Sequence, residues 1–178
     1  MTEGPGDRGF EPATGDEVAA ASAAVSETAS ASASGAGGAG GGAGPAAARA
    51  AELRTAYEGM LQIRRLVNGT GDASVPAPWE LRRMSRAVAL ALEAAGIAAS
   101  AVDERGRRTR TGYRVAAGAE VGRVEVTWPG PAGGGAAEEE QERLTACSAV
   151  LEALGWVCLL YRGPRRRRFL EVEPPRRT

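Results

Sequence analysis

The sequence contains no histidine and no lysine, and only two cysteines among its 178 residues. Each absence removes a class of chemistry. Without His there is no imidazole base, no Ser-His-Asp or Cys-His triad and no imidazole metal ligand. Without Lys, neither Gly35–Gly44 nor Gly133–Gly135 can be a P-loop, which ends in Gly-Lys-Ser/Thr. Two cysteines make neither a Cys₄ zinc site nor a small disulfide framework. No run of 18 apolar residues is present, so no transmembrane helix is expected. The first residues carry acids and Ala, Ser and Gly where a signal peptide needs positive charge and Leu. The expected location is cytoplasmic, with both thiols reduced. No catalytic constellation and no cofactor or metal site emerges, so a non-enzymatic role is expected.

Large rings are scarce as well. Of the eight aromatic residues only Phe10 precedes residue 46. Rings dominate core energetics, so the packed part is expected over 46–178. Residues 1–45 are rich in Ala, Ser and Gly and read as a disordered, acidic tail, because they bury too little to offset their ordering entropy. The domain boundaries expected are therefore 1–45 for the tail, 46–77 for a helix and linker, and 78–178 for a compact domain.

The balanced totals of 22 acids and 22 bases, all of the latter Arg, conceal a segregation. Residues 1–45 sum to −5, residues 46–161 to zero, and residues 162–178 to +5. A Lys-free, Ala/Gly/Arg-rich composition is also what a high-GC genome produces, so Arg by itself is a weak signal.

Pro45 opens a helical pattern over 46–67 whose apolar stripe would be Leu53, Tyr57, Met60, Leu61 and Val67. Pro78 starts a second, with Leu81, Met84, Val88, Leu92 and Ala95 on one face and Gly96 as its stop. Residues 100–110 look turn-like. Residues 113–117 and 123–128 alternate with period two and read as a hairpin, Val124, Val126 and Trp128 facing inward. Glu138–Leu154 is the clearest helix. Its three leading Glu suit the positive end of the dipole, and Leu144, Cys147, Val150, Leu151 and Leu154 form its buried stripe. Trp156–Tyr161, WVCLLY, has no polar residue and reads as a strand covered on both faces, by the helical layer and by the first helix or a second protomer. Arg168–Glu173 is the last strand.

The expected fold class is α+β. Two helices pack on a small four-stranded antiparallel sheet in the order α-β-β-α-β-β, a permuted ferredoxin-like layout. Leu92–Ile97 resembles Leu151–Trp156 at an offset of 59 residues, a weak internal repeat.

Two surfaces are candidates for function. Arg162, Arg165, Arg166, Arg167 and Arg168 crowd a turn at Gly163-Pro164 and are flanked by Tyr161 and Phe169. Arg forks suit phosphates and nearby rings suit bases, so this hairpin is a candidate polyanion contact, joined by Arg105, Arg107, Arg108 and Arg110. The partner would be nucleic acid or an acidic protein. The competing expectation is a protein–protein adaptor or homo-oligomer that uses strand 156–161 and the sheet face. Opposite signs on the outer sheet face (Arg114 and Arg123 against Glu125, Glu171 and Glu173) point to cross-strand ion pairs there.

Overall fold

A computed structural model describes residues 9–19, 44–69 and 73–176. The expectation of a disordered tail over 1–8 and 20–43 lies outside the described residues.

Helix α1 (Pro45–Asn68) begins with Pro at its first position and ends at Gly69, whose φ is 67°. The Asn-Gly stop is used as read. A short helix α2 (Pro78–Arg82) and α3 (Met84–Ala94) replace the single helix expected from Pro78. The break is at Arg83, with φ −132° and ψ 49°. It turns Leu81 outward, while Met84, Val88 and Leu92 stay buried.

Strands β1 (Ala101–Val102) and β2 (Arg108–Arg110) then form a two-stranded antiparallel sheet within the segment expected to be only a turn. The sequence hides it because both strands are very short and β2 is mostly Arg. Next come β3 (Arg114–Ala117), β4 (Val124–Thr127), helix α4 (Ala136–Ala153), β5 (Val157–Arg162) and β6 (Arg168–Glu173). The four longer strands make one antiparallel sheet in the order β3-β4-β6-β5. A ferredoxin-like layout gives this order when its first strand is moved to the end.

The pairing register sorts the sheet into two faces. Val115, Val126 and Leu170 share one cross-strand row, and Val124 and Val172 the next. All five are buried beneath α3 and α4 with Leu92, Leu144, Cys147, Leu151, Trp128 and Trp156. Burying each such side chain is worth about 1.5–3 kcal/mol. The opposite face carries Glu125, Glu171 and Glu173, with Leu159, Tyr161 and Phe169 at its β5–β6 end. There Arg123 reaches Glu171 at 3.0 Å, Glu120 at 3.2 Å and Glu173 at 3.4 Å, the cross-strand pairing that the mixed signs implied.

The two similar hexapeptides occupy equivalent places. Gly96 and Gly155 follow α3 and α4 with φ near 80° (79° and 81°). Ile97 N–H donates to Leu92 C=O, and Trp156 N–H to Leu151 C=O, each at 3.1 Å. These are two Schellman stops, which need Gly at the left-handed position and an apolar residue after it. Helix-stop chemistry thus accounts for the likeness.

Helix α1 lies on α3, not beneath the sheet. Val67 is exposed, and the deepest residue of the helix beside Met60 is Arg64. Arg64 is fully buried and clamps Glu80 bidentately, at 2.7 Å from Nε and 2.6 Å from Nη2. Its Nη1 donates to the carbonyls of Ala73 and Leu154. Glu80 also accepts from the Ala77 N–H at 3.0 Å, which caps α2. One ion pair therefore fastens α1, the following loop, α2 and the end of α4.

Residues 9–19 are part of the folded domain, contrary to the expectation that packing begins at 46. Phe10 packs against the core, with the Arg49 guanidinium 5.0 Å from its ring centre. Tyr113 Oη donates to Ala13 C=O at 2.7 Å, and Ala13 N–H donates to Glu93 at 2.9 Å. Val115 N–H donates to Thr14 C=O at 2.7 Å, and Val18 bridges to Val102. Among the described residues no helix is long and apolar enough to cross a membrane.

Candidate functional site

The arginine hairpin is where the sequence places it, at the end of the sheet where β5 runs into β6. Gly163 N–H donates to Arg167 C=O at 2.7 Å, and Arg167 N–H donates back to Pro164 C=O at 3.3 Å. Between them Arg165 has φ 58° and ψ 23°, and Arg166 has φ 60°. Pro164–Arg167 is thus a type I′ turn with Arg at both central positions. Such turns favour Asn-Gly there: a Cβ in the left-handed region costs roughly 1–2 kcal/mol per residue, Gly has none, and the short Asn side chain offsets the cost by hydrogen-bonding locally.

Two residues fix the turn to the domain. Glu140, on the second turn of α4, is 2% exposed. Its carboxylate accepts from Arg167 Nε at 2.5 Å and from the Arg168 N–H at 2.6 Å. Arg167 also donates to Trp128 C=O at 3.1 Å. In the sequence Glu140 reads as one of a solvated Glu run. Its position one turn before Leu144 on the same helix face is the signal that could have singled it out.

The five arginines therefore divide. Arg167 is neutralised by Glu140, although its side chain stays half exposed. Among the described residues no acid pairs with the side chains of Arg162, Arg165, Arg166 or Arg168. Arg162 and Arg168 are direct cross-strand partners, like charges held face to face. On the other face of the hairpin, Tyr161 and Phe169 stack with ring centres 5.5 Å apart. The result is four unneutralised guanidiniums on a projecting bend, with a pair of rings behind it.

The second basic cluster is neutralised only in part, with acids paired to the side chains of Arg107 and Arg108 but none to those of Arg105 or Arg110 among the described residues. Arg108 donates to Asp16 at 2.5 Å, to Ser100 at 2.9 Å and to Gly15 C=O. Arg107 pairs with Asp103 at 2.8 Å, and Arg110 donates to Ala99 C=O at 2.8 Å. Arg114 joins Arg108 on Asp16, at 2.7 Å. Partial burial opposes the Asp16 charge, but hydrogen bonds from Arg114 and Arg108 outweigh it and hold the carboxyl below its usual value. Of this cluster only the Arg105 side chain has no partner among the described residues.

Both thiols are held protonated. Cys147 is buried and pushed up to about 12 by loss of solvent. Cys158 is only half-buried, less than its apolar strand implied, yet burial and the nearby Glu152 also push it to about 12. Neither has thiolate character for nucleophilic work.

No family model, no curated protein and no solved structure matches the chain. The functional reading rests on the geometry of the turn.

Proposed function

We propose that the chain is a small, non-enzymatic binding module, accessory or regulatory in role, whose arginine turn contacts an anionic partner. A nucleic-acid backbone is the partner that its guanidinium chemistry suits best. The observation that carries this reading is the residue choice at the turn. Arg165 and Arg166 occupy the two left-handed positions that favour Gly or Asn. High-GC coding supplies Gly as readily as Arg, so composition does not account for the strained choice. Local preference gives way mostly at functional sites. Arg162 and Arg168, facing each other without an acid between them, add a second local cost of the same sign.

Electrophoretic binding to duplex DNA and single-stranded RNA, at low and at moderate salt, tests the proposal. A complex that forms at about 50 mM salt and weakens as salt rises supports it. No complex with either nucleic acid at about 50 mM salt removes it.

A further inference from the structure

The four-stranded sheet has two edges, and the molecule treats them differently. The β3 edge is covered by the N-terminal segment, through Val115 N–H to Thr14 C=O and Arg114 to Asp16. The β5 edge has no such cover. Among the described residues no backbone hydrogen bond reaches β5 from outside its hairpin. Leu159, Leu160 and Tyr161 are 40%, 44% and 43% exposed, so within one chain the helical layer and α1 do not cover both faces of this strand, contrary to that part of the expectation. Edges left to water are ordinarily blunted by charge, proline or a bulge. Val157–Tyr161 has no charge and no proline, and it pairs with β6 without a register break.

We propose that β5 pairs antiparallel with β5 of a second copy of this chain, joining two four-stranded sheets into one of eight strands. A two-fold axis normal to the sheet keeps every side chain on its own face, so facing residues must share parity. Centring the axis on Leu160 sets Leu160 against Leu160 and Leu159 against Tyr161 of the second copy. It also sets Cys158 against Arg162 of the second copy. The strand is thus complementary to itself in its apolar residues.

Charge selects the same occupant and the same register. Glu152 lies near enough to Cys158 to act on its thiol, and Ser148, which donates to Glu152 at 3.1 Å, adjoins both. Arg162 of the second copy arrives beside that acid. The neighbouring register, centred on Leu159, sets Arg162 against Trp156 instead and separates the two charges. In the dimer Arg162 belongs to the interface, which leaves Arg165, Arg166 and Arg168 of each copy for an anion.

Sedimentation of the full wild-type chain at about 100 µM tests the association, and cross-linking tests the register. A species of twice 18.2 kDa is expected. Leu160→Cys is expected to form an interchain disulfide on mild oxidation, since facing Cα atoms lie about 4.5–5.5 Å apart. The wild-type chain is expected not to cross-link, because Cys158 faces Arg162 and Cys147 is buried. Leu160→Arg is expected to sediment as a monomer with an unchanged far-ultraviolet spectrum. A wild-type monomer overturns the proposal, and slowly exchanging β5 amides in that monomer would assign the cover to the chain itself. A dimer in which Leu160→Cys fails to cross-link overturns the interface. A dimer removes Arg162 from the turn's free guanidiniums, and none of these outcomes bears on whether Arg165, Arg166 and Arg168 bind an anion.

Discussion

Arg167 donates its Nε–H to Glu140 across 2.5 Å, and this bond ties the arginine turn to α4. Glu140 is almost fully buried, while Arg167 is half exposed. Removing Arg167 strands a buried carboxylate, whereas removing Glu140 leaves a half-exposed guanidinium that water reaches. Glu140→Ala is expected to cost about 1.5–3 kcal/mol, since hydrogen bonds to a charged group are at stake. Arg167→Ala leaves a buried carboxylate with only the Arg168 N–H, and the double variant should cost less than the sum of the two. Urea unfolding in a double-mutant cycle measures this. Strict additivity would show that the bond is not formed in solution.

The turn itself makes an opposite prediction. Arg165→Asn combined with Arg166→Gly installs the pair that a type I′ turn prefers. The variant is expected to be more stable than wild type, by roughly 1–2 kcal/mol from Arg166→Gly, which removes a Cβ, and by less from Arg165→Asn, which keeps one. Thermal unfolding by circular dichroism reads the difference. A less stable variant would mean that Arg165 and Arg166 hold the turn rather than strain it.

The Arg64–Glu80 pair should behave as a buried clamp. Arg64→Met or Glu80→Gln alone is expected to cost about 3–5 kcal/mol, because an uncompensated buried polar group remains. Arg64→Met with Glu80→Leu should recover part of that loss. Equilibrium unfolding of the three variants decides it. Equal losses in all three would point to packing, not charge, as the role of this pair.

Acid is expected to loosen residues 9–19 first. Asp16 and Glu17 both titrate below their ordinary values of 3.8 and 4.5. Partial burial opposes each charge, and hydrogen bonds from Arg114 and Arg108, or from the Thr14 and Gly15 amides, outweigh it. A depressed folded value means that the stabilising contribution is complete above the unfolded value. It is lost as pH falls through the folded one. The Val115 and Val102 amides, held by Thr14 and Glu17, should lose exchange protection below about pH 4, before the core amides of α4 do. Simultaneous loss across the chain would show that this segment is not a separate unit.

Local chemistry is legible in the sequence where a single residue type decides it. Gly96 and Gly155 mark helix ends, and alternation over 123–128 marks a half-buried strand. Pairings between distant residues are not legible. Ala13 meets Glu93 and Tyr113 across 80 and 100 positions, with no periodicity to announce the segment. Nothing in the sequence singles out Arg64 and Glu80, because only the tertiary fold pairs them. WVCLLY reads as a buried strand because composition does not say whether a strand lies at a sheet's centre or its edge. The turn at Gly163-Pro164 is plain from its residues, but the strained positions at Arg165 and Arg166 are not, since their residue types argue against such a conformation.

The salt dependence of nucleic-acid binding, followed by fluorescence anisotropy in wild type and in the Arg165→Asn, Arg166→Gly variant, tests the central claim most directly. The account predicts that affinity falls steeply with salt for wild type. It predicts a log–log slope shallower by about 2 for the variant, one for each guanidinium removed from a phosphate. Equal slopes and equal affinities for the two proteins would contradict it.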